Sequence, residues 1–227
     1  MIIERMYPPE VLKDALQDLL PMRNKVMPIA QRQERDHRKL RDKRTAIEHG
    51  FTWKSPRGNN WIIVLRTIKQ GTSIASLVHY RGMDKRLRAM YVDITDKATH
   101  IHFSAHVLTR YCERFNPEKN PEERLAEFFF ANHNLAIECT QDLGGGKHEV
   151  MVGLLHGLAT GVGDTKARIV ELTTFLDHGL LGRDQLELAD GLDWMRYYNT
   201  LTPGQRAHLA REAQALIAAE QQREQAA

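Results

Sequence analysis

The chain has 227 residues, of which 42% are hydrophobic and 27% are charged, and its formal net charge is +3. This composition is ordinary for a folded globular protein and excludes a disordered or fibrous chain. Two cysteines, Cys112 and Cys139, are too few for a secreted fold held by a disulfide framework. We find neither an apolar run of membrane-spanning length nor a signal-peptide pattern. We therefore expect a cytoplasmic protein with no membrane contact.

Residues 1–50 predict a basic helical arm. Apolar residues recur at helical spacing from residue 9 to 20, and Pro21 and Pro28 then interrupt the pattern. A polar helix is expected from Gln31 to Glu48. It carries candidate contacts to a nucleic-acid backbone, namely Arg35, Arg38, Lys39 and Arg41. The same pattern is also typical of a solvated helix with local ion pairs.

Residues 51–200 predict an α+β core domain. The β-branched run Trp61–Ile68 begins a meander of three or four antiparallel strands that ends near Ile94. Arg86 and Arg88 lie beside a turn of this meander and are two further candidate nucleic-acid contacts. Four more strands are expected between residues 135 and 176, followed by a helix. The sequence leaves open whether the two groups of strands share one sheet.

Residues 201–227 predict a C-terminal helix and a polar tail. Thr202-Pro-Gly-Gln205 has the pattern of a capping box with proline at the first helical position. An amphipathic helix is expected from Ala207 to Glu220. The fold class is therefore α+β: an N-terminal helical arm, antiparallel strands, a central helical pair, further antiparallel strands and a C-terminal helix.

The central helical pair follows a short strand that begins at His100. Ser104 is expected to cap the first helix, and Asn120 a second one that begins near Pro121, because each side-chain oxygen can accept a bond from an unpaired N–H of the first turn. In that helix, His106, Arg110 and Arg114 lie at i, i+4 and i+8 on one face. An imidazole and two guanidinium groups suit a phosphate better than a dry core. The alternative is that these side chains pair with carboxylates or contact water.

This His-x3-Arg-x3-Arg helix, followed by a second helix and a meander, resembles one branch of the RelE/barnase/colicin-like bacterial ribonuclease-toxin superfamily. The resemblance covers about residues 101–176, and Ile169–Phe175 occupies the position of the family's closing strand. Phe115 departs from the family pattern, which has a small residue there. The N-terminal and C-terminal extensions also lie outside the basic toxin-like domain.

The resemblance implies metal-independent cleavage of RNA without a cofactor. His106 would act as general acid or base, and Arg110 and Arg114 would stabilise the charge that develops on the phosphate. His148, His156, or Thr173 and Thr174 would complete the site from the strands. RNA is then the expected partner, and a neutralising protein is a second candidate partner.

Two alternatives remain open from the sequence. The spacing His100, His102, His106 is compatible with a metal site, since histidines at i and i+2 share one face of a strand. The chain is otherwise compatible with a non-enzymatic module of a mobile element that binds nucleic acid or a protein.

Overall fold

The computed structural model describes residues 1–42, 45–95, 99–115, 118–201 and 204–214. Within these ranges the chain is an α+β protein, as the sequence predicts, with nine strands in one sheet and helices on both faces. The helices are α1 (Pro8–Leu16), α2 (Leu19–Lys39), α3 (Ala105–Phe115), α4 (Pro121–Asn132) and α5 (Arg183–Thr200), with a 3-10 turn at His178–Leu180. The strands are β1 (Ile47–Lys54), β2 (Asn60–Ile68), β3 (Gly71–Arg81), β4 (Leu87–Tyr91), β5 (His100–Phe103), β6 (Ala136–Gly144), β7 (Lys147–Leu154), β8 (Gly157–Asp164) and β9 (Ile169–Asp177).

The sheet consists of two antiparallel meanders joined by one parallel pair of strands. The strand order is β1-β2-β3-β4-β5-β9-β8-β7-β6, so the last strand of each meander lies in the middle. There, His100–Phe103 pairs in parallel with Ile169–Leu172. Parallel strands need a long crossover connection, and the chain from α3 through β8 supplies it. The two groups of strands therefore share one sheet, a point that the sequence left open.

Both helices of the central pair begin where the sequence predicts. The Ser104 hydroxyl accepts a hydrogen bond from the Val107 N–H at 3.4 Å. Asn120 caps α4, because its Oδ1 accepts a bond from the Glu123 N–H at 2.9 Å. These caps satisfy donors that have no partner within the helix.

α3 and α4 cover one face of the sheet. Ile101 and Phe103 of β5 point to this face and pack with Val107 of α3 and Phe128 of α4 in the largest core cluster. The Phe103 and Phe128 rings meet edge to face, with centroids 5.4 Å apart. Because side chains alternate along a strand, the two histidines of β5 point to the opposite face.

α1, α2 and α5 lie on that opposite face. α1 and α2 pack over β2 and β3, where Trp61 is fully buried. α5 packs at the other edge of the sheet, against Met151 of β7. The next residue, Val152, points to the opposite face, into the core under α3 and α4. Gly153 permits this packing, since a Cβ there would lie 2.8 Å from the Cβ of Leu192. Between these helices, Glu171 of β9 remains exposed.

A buried carboxylate connects α1 and α2 to the sheet. Asp18, between the two helices, is 0% exposed and accepts hydrogen bonds from Asn59 Nδ2 at 2.8 Å and Trp61 Nε1 at 2.9 Å. Arg57 Nε lies 3.9 Å from its second oxygen, and Asp14 accepts another bond from Asn59. A buried carboxylate is costly unless it is paired and hydrogen-bonded, so this network fixes where the helices dock.

Some predicted boundaries differ from the structure. The predicted interruptions at Pro21 and Pro28 are wrong, because α2 begins at Leu19, continues through both prolines to Lys39 and packs its Met22, Val26 and Ala30 on the sheet. The expected end of the next helix at Glu48 is also wrong, since α2 ends at Lys39 and Glu48 belongs to β1 and pairs with β2. Here strand pairing overrides a local helical pattern.

The C-terminal segment is described in part. Residues 204–214 are helical, in agreement with the expected C-terminal helix. Thr202 and Pro203 of the expected capping box, and the remainder of the helix and tail, lie outside the described residues. Among the helices that are described, none combines the length and apolar character needed to cross a membrane.

Replacing Asp18 by alanine should lower the free energy of unfolding by about 1–3 kcal/mol, because Trp61 Nε1–H and Asn59 lose their buried acceptor. Urea denaturation measures the change. Asp36→Ala on the exposed side of α2 is the matched control, and its effect should stay below about 1 kcal/mol. Equal effects of the two substitutions would show that the buried network does not hold the helices.

Candidate active site on the sheet

The three residues of the helical site that the sequence predicts all lie on α3. His106 and Arg110 are exposed on α3. Arg114 forms an ion pair with Asp177 at the end of β9. The sequence alternative of a carboxylate partner therefore applies to Arg114, because the fold brings a strand end from 63 positions further along the chain to the end of α3.

Two of the strand residues expected to complete that site, His148 and Thr173, lie on different strands with β8 between them. His148 of β7 alternates in phase with Val150, which belongs to the core under α3 and α4. Thr173 occupies an irregularity in β9, where Leu172 and Thr174 pair with consecutive residues of β8. Thr173 is exposed, whereas its neighbour Leu172 is buried in that same core. His148 lies 3.9 Å from Asp142 of β6.

The proposed metal ligands are likewise separated. His100 and His102 point to the face under α1, and both are buried, whereas His106 is exposed on α3 at the other face. The alternation of β5 explains the separation. Its two histidines point to one face of the sheet and α3 covers the other face, so the three rings cannot meet. Across the described ranges, no group of three or more histidine, cysteine or acidic side chains is arranged to hold a metal ion.

The candidate nucleic-acid contacts fall into two groups. Arg86 and Arg88 flank the β3–β4 turn. The cations of α2 lie at the other end of the strands. Gln33, which lies among these cations, accepts a hydrogen bond from Thr67, and Thr67 is the strand partner of Thr72 at the start of β3. From Thr72 to Tyr80 at the opposite end of β3 is about 26 Å at ~3.3 Å per residue. One short nucleic-acid contact would not span both groups.

The sheet instead brings together a tyrosine, a histidine and a glutamate, here called the Tyr–His–Glu row. Tyr80 Oη of β3 lies 2.9 Å from His102 Nε2. The other imidazole nitrogen, Nδ1, is buried and lies 3.6 Å from Glu171 Oε1, within ion-pair range but beyond a hydrogen bond. His102 itself is 3% exposed, so these two contacts define its polar surroundings.

Strand register places these three side chains. His102 and Glu171 are direct partners in the parallel β5–β9 pair, and their side chains share a face. Met90 of β4 is the antiparallel partner of His102, and on the other side of β4 Arg88 is the partner of Tyr80 of β3. Each residue of the row therefore comes from a different strand.

A cleft of about 370 Å³ opens beside the row. It is bounded on one side by residues 4–8, which lead into α1, and on the other by the β3–β4 turn. Arg88 lines the cleft, and two of its N–H groups donate to Asp84 at 2.7 and 3.0 Å. Glu4 and Lys85 form an ion pair at 2.6 Å across its rim.

The outer members of the row have opposite protonation states. Burial raises the pKa of the Tyr80 hydroxyl to about 12, so this group remains a proton donor at neutral pH. The neighbouring imidazole of His102 lowers the pKa of the Glu171 carboxyl, so this group is an ionised acceptor. A histidine between a phenol and a carboxylate can accept a proton on one side and donate one on the other.

A second histidine contact lies at the end of α3. The Tyr111 hydroxyl is 2.6 Å from His156 Nδ1, and the His156 ring stacks on Phe115 at 4.3 Å. Burial lowers the pKa of His156, and the nearby His178 and Arg196 lower it further. The neutral imidazole accepts a hydrogen bond from the Tyr111 hydroxyl and packs on Phe115. This is a packing contact at the rim of the large core cluster.

Comparison with known proteins does not extend the family resemblance inferred from the sequence: no family model, curated protein or solved structure matches the chain.

As pH falls below 6.5, the ordinary pKa of histidine, the free energy of unfolding should decrease. The unfolded His156 takes up a proton there, whereas the folded one, with its lowered pKa, resists protonation. His156→Gln keeps an acceptor for Tyr111 and removes the titration, so its stability should fall less over the same range. Urea denaturation at a series of pH values measures both slopes, and parallel profiles would contradict the assignment. Burial also lowers the pKa of His79, and this should reduce the stability of the wild-type chain and of His156→Gln equally as pH falls.

Proposed function

We propose that this protein cleaves RNA phosphodiesters without a metal, and that the Tyr–His–Glu row is its reaction centre. The supporting observation is one buried imidazole held between a protonated phenol and an ionised carboxylate at the side of a cleft. Acid–base groups beside a guanidinium are what the resemblance to ribonuclease toxins leads us to expect. In this proposal Tyr80, His102, Glu171 and Arg88 take the roles first assigned to residues of α3.

The reaction begins with attack of the ribose 2′-oxygen on the adjacent phosphorus. Glu171 accepts the 2′-hydroxyl proton as general base, and its exposed side chain can reach a ligand in the cleft. Tyr80 donates its proton to the departing 5′-oxygen as the P–O bond breaks. The products are a 2′,3′-cyclic phosphate and a free 5′-hydroxyl.

His102 restores the two groups after cleavage. His102 starts with its ring hydrogen on Nε2. Glu171, now protonated, gives its proton to Nδ1, and Nε2 gives its hydrogen to Tyr80. Exchange of the ring proton with water in the cleft then restores the Nε2–H tautomer for the next turnover. The net transfer moves one proton from the 2′-oxygen to the 5′-oxygen, so the cleavage consumes no external acid or base. This circuit uses both ring nitrogens, which is the arrangement that the two contacts of His102 provide.

Arg88 is the candidate group for charge stabilisation. Asp84 accepts from two of the five N–H donors of its guanidinium and holds it in a fixed orientation at the cleft. A phosphate oxygen that gains charge during the reaction would accept from the same guanidinium. Arg86, exposed on the same turn, is the expected contact to the neighbouring backbone phosphate.

The direct test is incubation of the purified protein with an end-labelled RNA oligonucleotide in the presence of EDTA. Cleavage should yield 2′,3′-cyclic phosphate ends. Tyr80→Phe and Glu171→Gln should each lower the rate by roughly 10²–10⁴-fold, because each removes a proton-transfer group. Glu138→Gln, an exposed carboxyl on β6, is the matched control and should leave the rate unchanged.

Three outcomes would contradict the proposal. Intact RNA with the wild-type protein would exclude cleavage of that substrate class by this site. Loss of activity in His106→Ala, with full activity in Tyr80→Phe, would return the chemistry to α3. RNA binding that weakens steeply with salt but never leads to cleavage would favour a binding module.

A further inference from the structure

α5 carries a group of large apolar side chains at the surface, here called the aromatic patch. Its members are Trp194 (53% exposed), Met195 (43%), Tyr197 (52%) and Tyr198 (36%). The Trp194 and Tyr197 rings contact each other, with centroids 5.5 Å apart. Aromatic side chains clustered at a surface are typical of protein interfaces, where they contribute a large share of the binding energy.

The preceding turns of α5 add negative charge beside this patch. Asp184, Glu187 and Asp190 are all exposed. Glu187 lies 3.4 Å from Arg183, an exposed i, i+4 pair of small energetic value. A partner for this surface should therefore present cations together with apolar side chains.

α2 has this complementary character. Its exposed cations, here called the α2 stripe, are Arg32, Arg35, Arg38 and Lys39. Leu20 and Met27, earlier on the same helix, are 69% and 42% exposed. The cleavage proposed above gives the α2 stripe no role, because it lies at the far end of the strands from the Tyr–His–Glu row.

The two surfaces cannot meet within one chain. α2 packs on β2 and β3, whereas α5 packs on β6 and β7 at the other edge of the sheet. β2 and β7 are six strand spacings apart in the sheet order, which is about 29 Å at ~4.8 Å per strand. Both helices nevertheless lie on the same face, as their contacts with β2 and β7 show.

We propose that this face binds a second copy of the chain, with the aromatic patch of each copy against the α2 stripe of the other. One two-fold axis then creates two equivalent contacts, so the assembly closes at two copies. The charges of α5 and α2 set the register, and the aromatic patch supplies the apolar area. This inference goes beyond RNA cleavage and does not depend on it, although the two copies would enclose the cleft of the Tyr–His–Glu row, which lies on the same face between α2 and α5.

Sedimentation velocity of the full chain over a range of concentrations should show a reversible monomer–dimer equilibrium. Asp190→Lys and Arg35→Glu should each raise the dissociation constant at least about tenfold, because each places like charges opposite one another. Mixing these two variants should restore association, since a heterodimer pairs Lys with Glu at one contact and keeps the native pair at the other. Recovery on mixing also shows that both variants are folded.

Glu113→Lys on α3 and Lys166→Glu on the β8–β9 turn are matched controls, and both should dimerise like the wild-type chain. A wild-type chain that remains monomeric at every concentration would overturn the proposal. So would a dimer that neither charge reversal weakens, or variants that fail to associate when mixed. Weaker RNA binding by Arg35→Glu with unchanged association would identify the α2 stripe as a nucleic-acid contact instead.

Discussion

The structure depends on the parallel pairing of β5 with β9. Each of these strands ends an antiparallel meander. Their pairing joins the five strands β1–β5 and the four strands β6–β9 into one nine-stranded sheet. The same pairing sets His102 directly opposite Glu171. A shift of one residue in this register would turn one of the two side chains to the other face of the sheet, so the core and the candidate site share one constraint.

The two faces of β5 have different roles. Ile101 and Phe103 fill the core under α3 and α4, while His100 and His102 lie on the side of α1. Burying His102 is tolerable because Tyr80 bonds one nitrogen and Glu171 lies near the other. The contact with Glu171 is the longer of the two, and it leaves Nδ1 as the polar atom of the row that most needs a partner.

The sequence predicts the local features well and the long-range ones poorly. Turns, strand periodicity and the caps at Ser104 and Asn120 depend on neighbouring residues, and the structure confirms them. The helical repeat also groups His106, Arg110 and Arg114 correctly on one side of α3. It does not reveal what faces that side, which is solvent for two of them and Asp177 for the third.

The Tyr–His–Glu row was missed for the same physical reason. Its members lie 22 and 69 positions apart along the chain, and only strand pairing brings them together. One local signal existed: Glu171 is a lone carboxylate within the apolar strand Ile169–Phe175, and His102 is a lone polar residue between Ile101 and Phe103. The most direct test of the row is a ¹³C NMR titration of the Glu171 carboxyl in the wild-type chain and in His102→Leu. We predict that the pKa of Glu171 lies below the ordinary 4.5 in the wild-type chain. It should rise in His102→Leu, because burial then acts without the imidazole to oppose it. Identical titration curves in the two proteins would show that the parallel pair does not place the imidazole beside the carboxylate.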